Sequence, residues 1–466
     1  MLFHTFPFLV FFTLVFAGYW AWPGSRGRLV WLVAASLYFY MSWNPWLISL
    51  ILFSAGLDYL VALRLTVVRH AGLRLAMVAG SISVNLGLLA YYKYVNFFLD
   101  NINQLRLWLG LSPWEHVGVI LPLGISFYTF ETISYIVDVY RGRWPVVRNP
   151  LHYALYILFF PHLVAGPIVR PHEFLPQITR RKRWHPARLQ VAAQLFLLGL
   201  FKKAVVADQL ASLVDPVFAQ PETYATAAVW LAVVGYAVQI YCDFSGYTEM
   251  ARGLAHAFGY HLPHNFYWPY ASASITEFWQ RWHVSLSSWL RDYLYIPLGG
   301  NRHGALLMYR NLFVTMLLGG LWHGAQWTFI IWGGYHGLLL ILNRVTPWPT
   351  WLHHRLGAAL ATVTTFLAVC VGWVFFRAAS LADALAILQR VVLPAEGKTF
   401  DHPQTVVAWL VIAVMLAGQL AGKRWGEVTW FRRLSPWQWG LLMAAGFILT
   451  LGLMPDDHKA FIYFQF

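Results

Sequence analysis

Twelve long apolar segments leave this 466-residue chain few folds to choose from. They cover roughly 3–22, 28–42, 46–64, 76–99, 117–139, 190–206, 226–244, 309–321, 326–342, 356–376, 405–422 and 437–454. A helix crosses the hydrocarbon core of a bilayer in about 20 apolar residues. Most of the segments approach that length, and the shorter ones read as tilted, re-entrant or broken. Their apolar residues run on continuously instead of alternating, which argues against a β-barrel. Only 11% of the residues are charged, against about 25% in a soluble domain. The expected fold class is therefore an all-α polytopic membrane protein, read as one domain over 1–466. The N-terminal run lacks a basic leader and a small-residue cleavage site, so it reads as a retained first helix.

The net charge of +14 sits in short loops. Arg26 and Arg28, then Arg64, Arg69 and Arg74, then Arg141, Arg143 and Arg148, then Arg170 to Arg188 punctuate the apolar runs. Residues 207–225 instead carry Asp208, Asp215 and Glu222 and no Lys or Arg. The positive-inside rule puts the basic loops in the cytoplasm and the N-terminus on the far side of the membrane. No contiguous basic face exists to grip nucleic acid. With 141–148 and 170–188 on the same side, the apolar stretch between them should not cross fully. Its Pro161, Gly166 and Pro167 suit a broken segment, tolerated only where protein covers the backbone. Ser245 and Gly246 are expected to interrupt the helix after Asp243, with short helices following to about residue 305. Residues 207–225 and 378–404 read as loops. Cys242 and Cys370 lie within apolar runs and read as core residues.

Chemistry concentrates between Ser274 and Gly337. Ser274 and Glu277 form an S-x-x-E capping box that starts a helix. Glu277 and Arg281 then stand in the favourable i,i+4 order. The same spacing puts Trp279, His283 and Ser287 in one row, with Trp282 and Trp289 in another. His323 follows an uncharged run and Trp322, among Gly319, Gly320 and Gly324. Those glycines allow close helix approach or open space beside the imidazole. A neutral buried imidazole can serve as a general base. It can equally bond a helix carbonyl, and local pattern leaves both readings open. On one continuous helix, His336 would face away from His323 at about 100° per residue, so it reads as structural. His303 reads as surface. His261 with His264, and His353 with His354, do not make a metal cage, and no metal is expected. Asp58, Glu131, Asp138, Asp243 and Glu249 lie in or near apolar runs, where a carboxylate can relay protons, although pairing with a loop arginine is the favoured reading. For Asp243, pairing with a loop arginine competes with a proton relay.

Six blocks carry a resemblance over essentially the whole chain. They are LPLGISFYTFETISYIVDVYRG (121–142), FFPHLVAGPIVRP (159–171), YCDFSGYTEMARGLA (241–255), SITEFWQRWHVSLSSWLRDYLYIPLGGNRHG (274–304), YRNLFVTMLLGGLWHGAQWTFIIWGGYHG (309–337) and FIYFQF (461–466). The chain resembles the membrane-bound O-acyltransferases. It is most similar to the branch that O-acetylates alginate and more distantly similar to the D-alanyl transferases of teichoic acid. The resemblance implies about 11–13 transmembrane or re-entrant helices ringing a central tunnel, with a catalytic core at about 117–342. It places the catalytic histidine on His323, in LWHG, and its histidine partner on His283, in RWH. It implies acetyl-CoA as cytoplasmic donor with no bound cofactor. The acetyl group would cross the inner membrane to an exopolysaccharide, directly or through periplasmic SGNH-type partners. Trp282, Arg281, Arg291, Asp292, Trp322 and Asn311 are candidates for binding substrate or donor. Among acceptors, a cellulose-type polymer is slightly favoured over alginate. A non-catalytic scaffold or acetyl channel, and a proton-relaying transporter, are the competing readings.

Overall fold

A computed structural model describes residues 1–346, 355–426, 434–455, 459, 461 and 462. His353 and His354 and most of the terminal FIYFQF block lie outside them. The described residues are helical and contain no β-strand. Eight helical segments among them are long and apolar enough to cross a bilayer, so this is a multi-pass membrane protein. The chain groups into two compact units, Met1–Phe196 with Met250–Pro263, and Leu197–Glu249 with His264–Phe466.

The first unit opens with α1 (Phe6–Ala21), α2 (Ser25–Met41) and α3 (Ile48–Leu65). α4 (Ala71–Leu89) passes through one widened turn into α5 (Val95–Trp108). α6 (Ile125–Tyr140) starts later than its apolar run, because Gly124 has φ +73° and lies against the backbone of Leu163. Asp58 on α3 is fully buried and accepts hydrogen bonds from Ser81 and Asn85 on α4. This pairing satisfies a carboxylate that membrane depth would otherwise strongly disfavour.

The stretch expected not to cross is indeed broken, into α7 (Pro150–Leu158), the single turn α8 (Phe160–Leu163) and α9 (Pro171–Thr179). Its exposed backbone groups find partners inside the unit. Glu131 on α6 accepts the Val169 N–H at 3.0 Å and lies 3.2 Å from His162 Nδ1. Ser36 on α2 accepts the Phe160 N–H at 3.1 Å. Irregular backbone at this depth requires such cover. Glu131 is thus a staple for the broken segment.

α10 (Pro186–Leu200) continues through a widened turn into α11 (Asp208–Ala219). Residues 208–219, read as loop, are therefore helix. α12 runs unbroken over Thr226–Ala257, so Ser245 and Gly246 do not interrupt it. Gly246 serves close approach instead. A Cβ there would lie 2.6 Å from the Gly199 carbonyl and 3.0 Å from the Lys203 nitrogen.

That contact brings two lysines against α12. Lys203 Nζ lies 2.6 Å from Asp243 and 2.8 Å from Asp208, all three buried. Lys202 pairs with Glu249 at 2.8 Å. The partner of Asp243 is thus a lysine from an adjacent apolar helix, not a loop arginine. Asp243 also accepts the Ile462 N–H at 2.9 Å, and Phe461 stacks on Tyr247.

The rest of the second unit comprises α13 (Ile275–Arg281), α14 (Val284–Leu290), α15 (Ala305–His323), α16 (Trp327–Val345), α17 (Arg355–Arg377), α18 (Leu381–Val392), α19 (His402–Trp425) and α20 (Pro436–Leu453). α18 falls in the stretch expected to be loop. Ser380 caps it by accepting the Asp383 N–H, and Ala384 and Ile387 bury its apolar face. α15 and α16 pack backbone to backbone, because a Cβ on Gly320 would overlap the Phe329 carbonyl and Gly333. The glycines around His323 therefore provide close approach, not open space. Cys242 and Cys370 are buried as expected.

Candidate functional site

The RWH motif sits at a helix break. Half of the expected capping box forms: Ser274 Oγ accepts the Glu277 N–H at 3.1 Å, but Glu277 accepts the N–H of Ala273, one residue before the cap, at 2.7 Å. Glu277 pairs with Arg281 at 2.9 Å and, unforeseen, with Lys423 on α19 at 2.8 Å. The helix then stops. Trp282 is extended, and His283 takes the left-handed conformation at φ 43°, ψ 55°. The expected Trp279–His283–Ser287 row on one helix therefore does not exist. Main-chain bonds from residues 265–267 replace the helical ones. Tyr267 N–H donates to Arg281 O at 2.9 Å, and Val284 N–H donates to Asn265 O at 3.0 Å. A left-handed non-glycine residue costs about 1–2 kcal/mol, and such strain clusters at functional sites.

Asn265 fixes the ring as well as the backbone. Its Oδ1 accepts the Ser285 backbone N–H at 3.1 Å and the Ser285 hydroxyl at 2.9 Å. A backbone N–H can only donate, so this atom is the amide oxygen. His283 Nδ1, 3.1 Å from the same oxygen, must then be the protonated nitrogen. Nε2 keeps its lone pair. His283 is fully buried outside the membrane-crossing helices, and burial pushes its imidazole down to about 3. The ring is neutral at any physiological pH. Phe244 on α12 stands edge-on to it, with centroids 4.6 Å apart.

His323 is the last residue of α15, next to the turn at Gly324–Gln326. Its ring centroid lies 6.4 Å from that of His283. Trp322, Trp332 and Phe376 surround it edge-on at 4.9, 5.0 and 5.2 Å. Two histidines from different elements thus meet in an aromatic enclosure.

The other sequence candidates separate into two groups. Trp322 lies 6.3 Å from the His283 ring, and Trp282 is buried against Trp373 at 4.8 Å. Arg281 is held by Glu277 and the Tyr267 carbonyl, Arg291 pairs with Asp292 at 2.7 Å, and Asn311 donates to the Gly300 carbonyl. These named partners are other groups than the two imidazoles. His336 lies on α16, a separate helix from His323, so the single-helix geometry does not apply. Trp332 stands edge-on to both rings, at 5.0 Å from each. Gly372 makes room for His336, since a Cβ there would sit 2.6 Å from Nε2. Asn265, Phe244 and Phe376 carried no local sequence signal. Their link to the histidines is purely tertiary.

Comparison with known proteins fits this arrangement. The family model of the membrane-bound O-acyltransferases matches residues 146–350, which include both histidines. The chain is 37% identical to a probable alginate O-acetylase of Pseudomonas putida, across the full length of both proteins. The chain belongs to the membrane-bound O-acyltransferase family. Its enzymatic activity is O-acyl transfer. It is also 44% identical to a probable alginate O-acetylase of Pseudomonas aeruginosa, over 82% of this chain and 73% of that protein. A peptidoglycan O-acetyltransferase of Helicobacter pylori shares 40% identity over 78% of this chain and 73% of its own length.

Proposed function

We propose that this O-acyltransferase moves acetyl groups from cytoplasmic acetyl-CoA to hydroxyls of an exopolysaccharide, with His323 as base or acetyl relay and His283 as its partner. The convergence of the two rings, 6.4 Å apart in an aromatic enclosure, carries the reading. As the acceptor oxygen attacks the thioester carbonyl, the new C–O bond forms and the C–S bond breaks. The hydroxyl proton passes to an imidazole nitrogen and then to the departing thiolate. The acceptor is delivered directly or through periplasmic SGNH-type partners, across an inner membrane with the N-terminus periplasmic. Arg281 and Arg291 are candidates for the CoA phosphates, as cations beside the motif. The relatives named above bear alginate and peptidoglycan in their names. Both are glycans, and a cellulose-type acceptor gains no support from them.

The direct test is acetyl transfer in proteoliposomes holding this chain alone, with labelled acetyl-CoA outside and soluble glycan within. Label on the glycan, or trapped on the protein, is the expected result. With neither, the chain would be a scaffold or need its partners. A second expectation concerns Asn265. Asn265→Ala should lower turnover roughly 10–100-fold, taken by analogy from the loss of hydrogen-bonded partners that orient metal-ligating histidines. Substrate affinity should hold, and Asn265→Asp, which keeps the acceptor oxygen, should recover much of the rate. Equal losses in both variants would remove Asn265 from the mechanism.

A further inference from the structure

The two basic loops that orient the N-terminal half have a use that acyl transfer does not absorb. Arg26 and Arg28 follow α1, and Arg180, Arg181, Lys182 and Arg183 follow α9. In the first unit all six line one cavity of about 660 Å³. That is the size of a ligand pocket. Asn149 and His152 from the start of α7 complete it, and none of the side chains lining it is acidic.

Arg28 builds the enclosure. Its Nε donates to the Trp22 carbonyl at 2.8 Å and its Nη1 to the Lys182 carbonyl at 3.0 Å. The guanidinium lies over the Trp20 ring at 4.9 Å. Lys182 Nζ stands over Tyr260 at 4.3 Å. One helix start adds positive potential. Ser25 and Arg26 open α2, whose N-cap is Gly24, without a side-chain cap or an acid in the first turn. A helix N-terminus of this kind favours phosphate. Burial, with Arg188 and Arg180 nearby, pushes the Lys182 ammonium down to about 8. Burial is the larger cause, and the neighbouring cations add to it. Loops that served only to orient the chain would need no shared concavity.

The place of the cavity along the chain bears on the source of the anion. It begins where the apolar run of α1 ends, and the half-exposed Trp22 and Trp184 flank it at the level where indoles mark a membrane interface. Basic clusters at that level attract anionic lipids. We infer that this cavity binds the phosphate headgroup of an anionic membrane lipid, held by Arg26, Arg180, Arg181 and Arg183.

Native mass spectrometry of the full chain tests this, after exchange into mixed micelles of phosphatidylglycerol and phosphatidylcholine. One phosphatidylglycerol should survive delipidation at least 10-fold more often than phosphatidylcholine. Arg180→Ala with Arg183→Ala should abolish that preference, and the same pair changed to Lys should restore it. Arg64→Ala with Arg69→Ala, in a different basic loop, should leave it intact. If the alanine pair proves unstable, Arg181→Gln alone should reduce the preference several-fold. No preference, or equal loss in the Arg64/Arg69 control, would overturn the site. Adenosine 3′,5′-bisphosphate provides the soluble arm. If it binds and is lost with the arginines while lipid retention is unselective, the phosphate belongs to a soluble ligand and the lipid assignment fails.

Discussion

Changing His323 to Gln should lower acyl transfer by about 10³-fold, within the 10²–10⁴-fold range of a lost general base. Protein level and thermal stability should stay near those of the parent. Glutamine is the better probe than alanine. His323 is only 4% exposed and enclosed by Trp322, Trp332 and Phe376. Truncation there would open a cavity, and cavities cost stability whatever the chemistry. The amide keeps the volume and a hydrogen-bonding end but cannot accept a proton near neutral pH. His336→Gln is the matched control: that ring packs against Trp332, Trp279 and Phe278, and the change should be tolerated within about 10-fold. The readout is O-acetyl content of the polymer at equal protein level, alongside labelled transfer in vesicles. Unchanged acetylation in His323→Gln would leave the chain as a channel or scaffold. Equal loss in both variants would point to packing of the aromatic box.

The contrast between these histidines shows what the sequence made legible. Each of the twelve apolar runs is helical over most of its length, because hydrocarbon-length apolar sequence has almost one stable solution. The broken segment at 150–179 was legible too, from charge on both sides and prolines inside. What local pattern missed was where the chain departs from its own periodicity. The row through Trp279, His283 and Ser287 assumed a continuous helix. The break depends on Asn265, some 18 residues upstream, whose backbone and side chain both replace helical hydrogen bonds. Likewise Gly246 reads as a breaker from sequence, yet sits inside α12 because Gly199 approaches it. The importance of His323 came from the resemblance of its motif, since spacing alone left two readings. Its pairing with His283 came from the same resemblance, since the spacing within either motif says nothing of a meeting that is tertiary.

Lys203→Met should be the most destabilising single change in the second unit. It leaves Asp208 and Asp243 buried without their cation, and breaking a buried ion pair costs about 3–5 kcal/mol. The loss should appear as a large drop in the thermal midpoint of the purified protein. Asp243→Asn alone should cost less, because Lys203 keeps Asp208 at 2.8 Å. The triple change Lys203→Met, Asp208→Asn, Asp243→Asn removes all three charges together and should recover most of the midpoint, since neutral replacements often match a buried pair. Activity then separates the two readings of Asp243. Asp243 adjoins Phe244, whose ring stands edge-on to His283. If the charges only hold α12 beside that ring, the triple variant should transfer acyl groups within about 10-fold of the parent once folded, a margin of about 1.4 kcal/mol in the barrier. If Asp243 relays protons, the triple variant should be stable and inactive. The geometry favours the first outcome: Asp243 is already committed to Lys203 and to the Ile462 N–H. A carboxylate held from both sides is placed to fix a helix rather than to exchange protons.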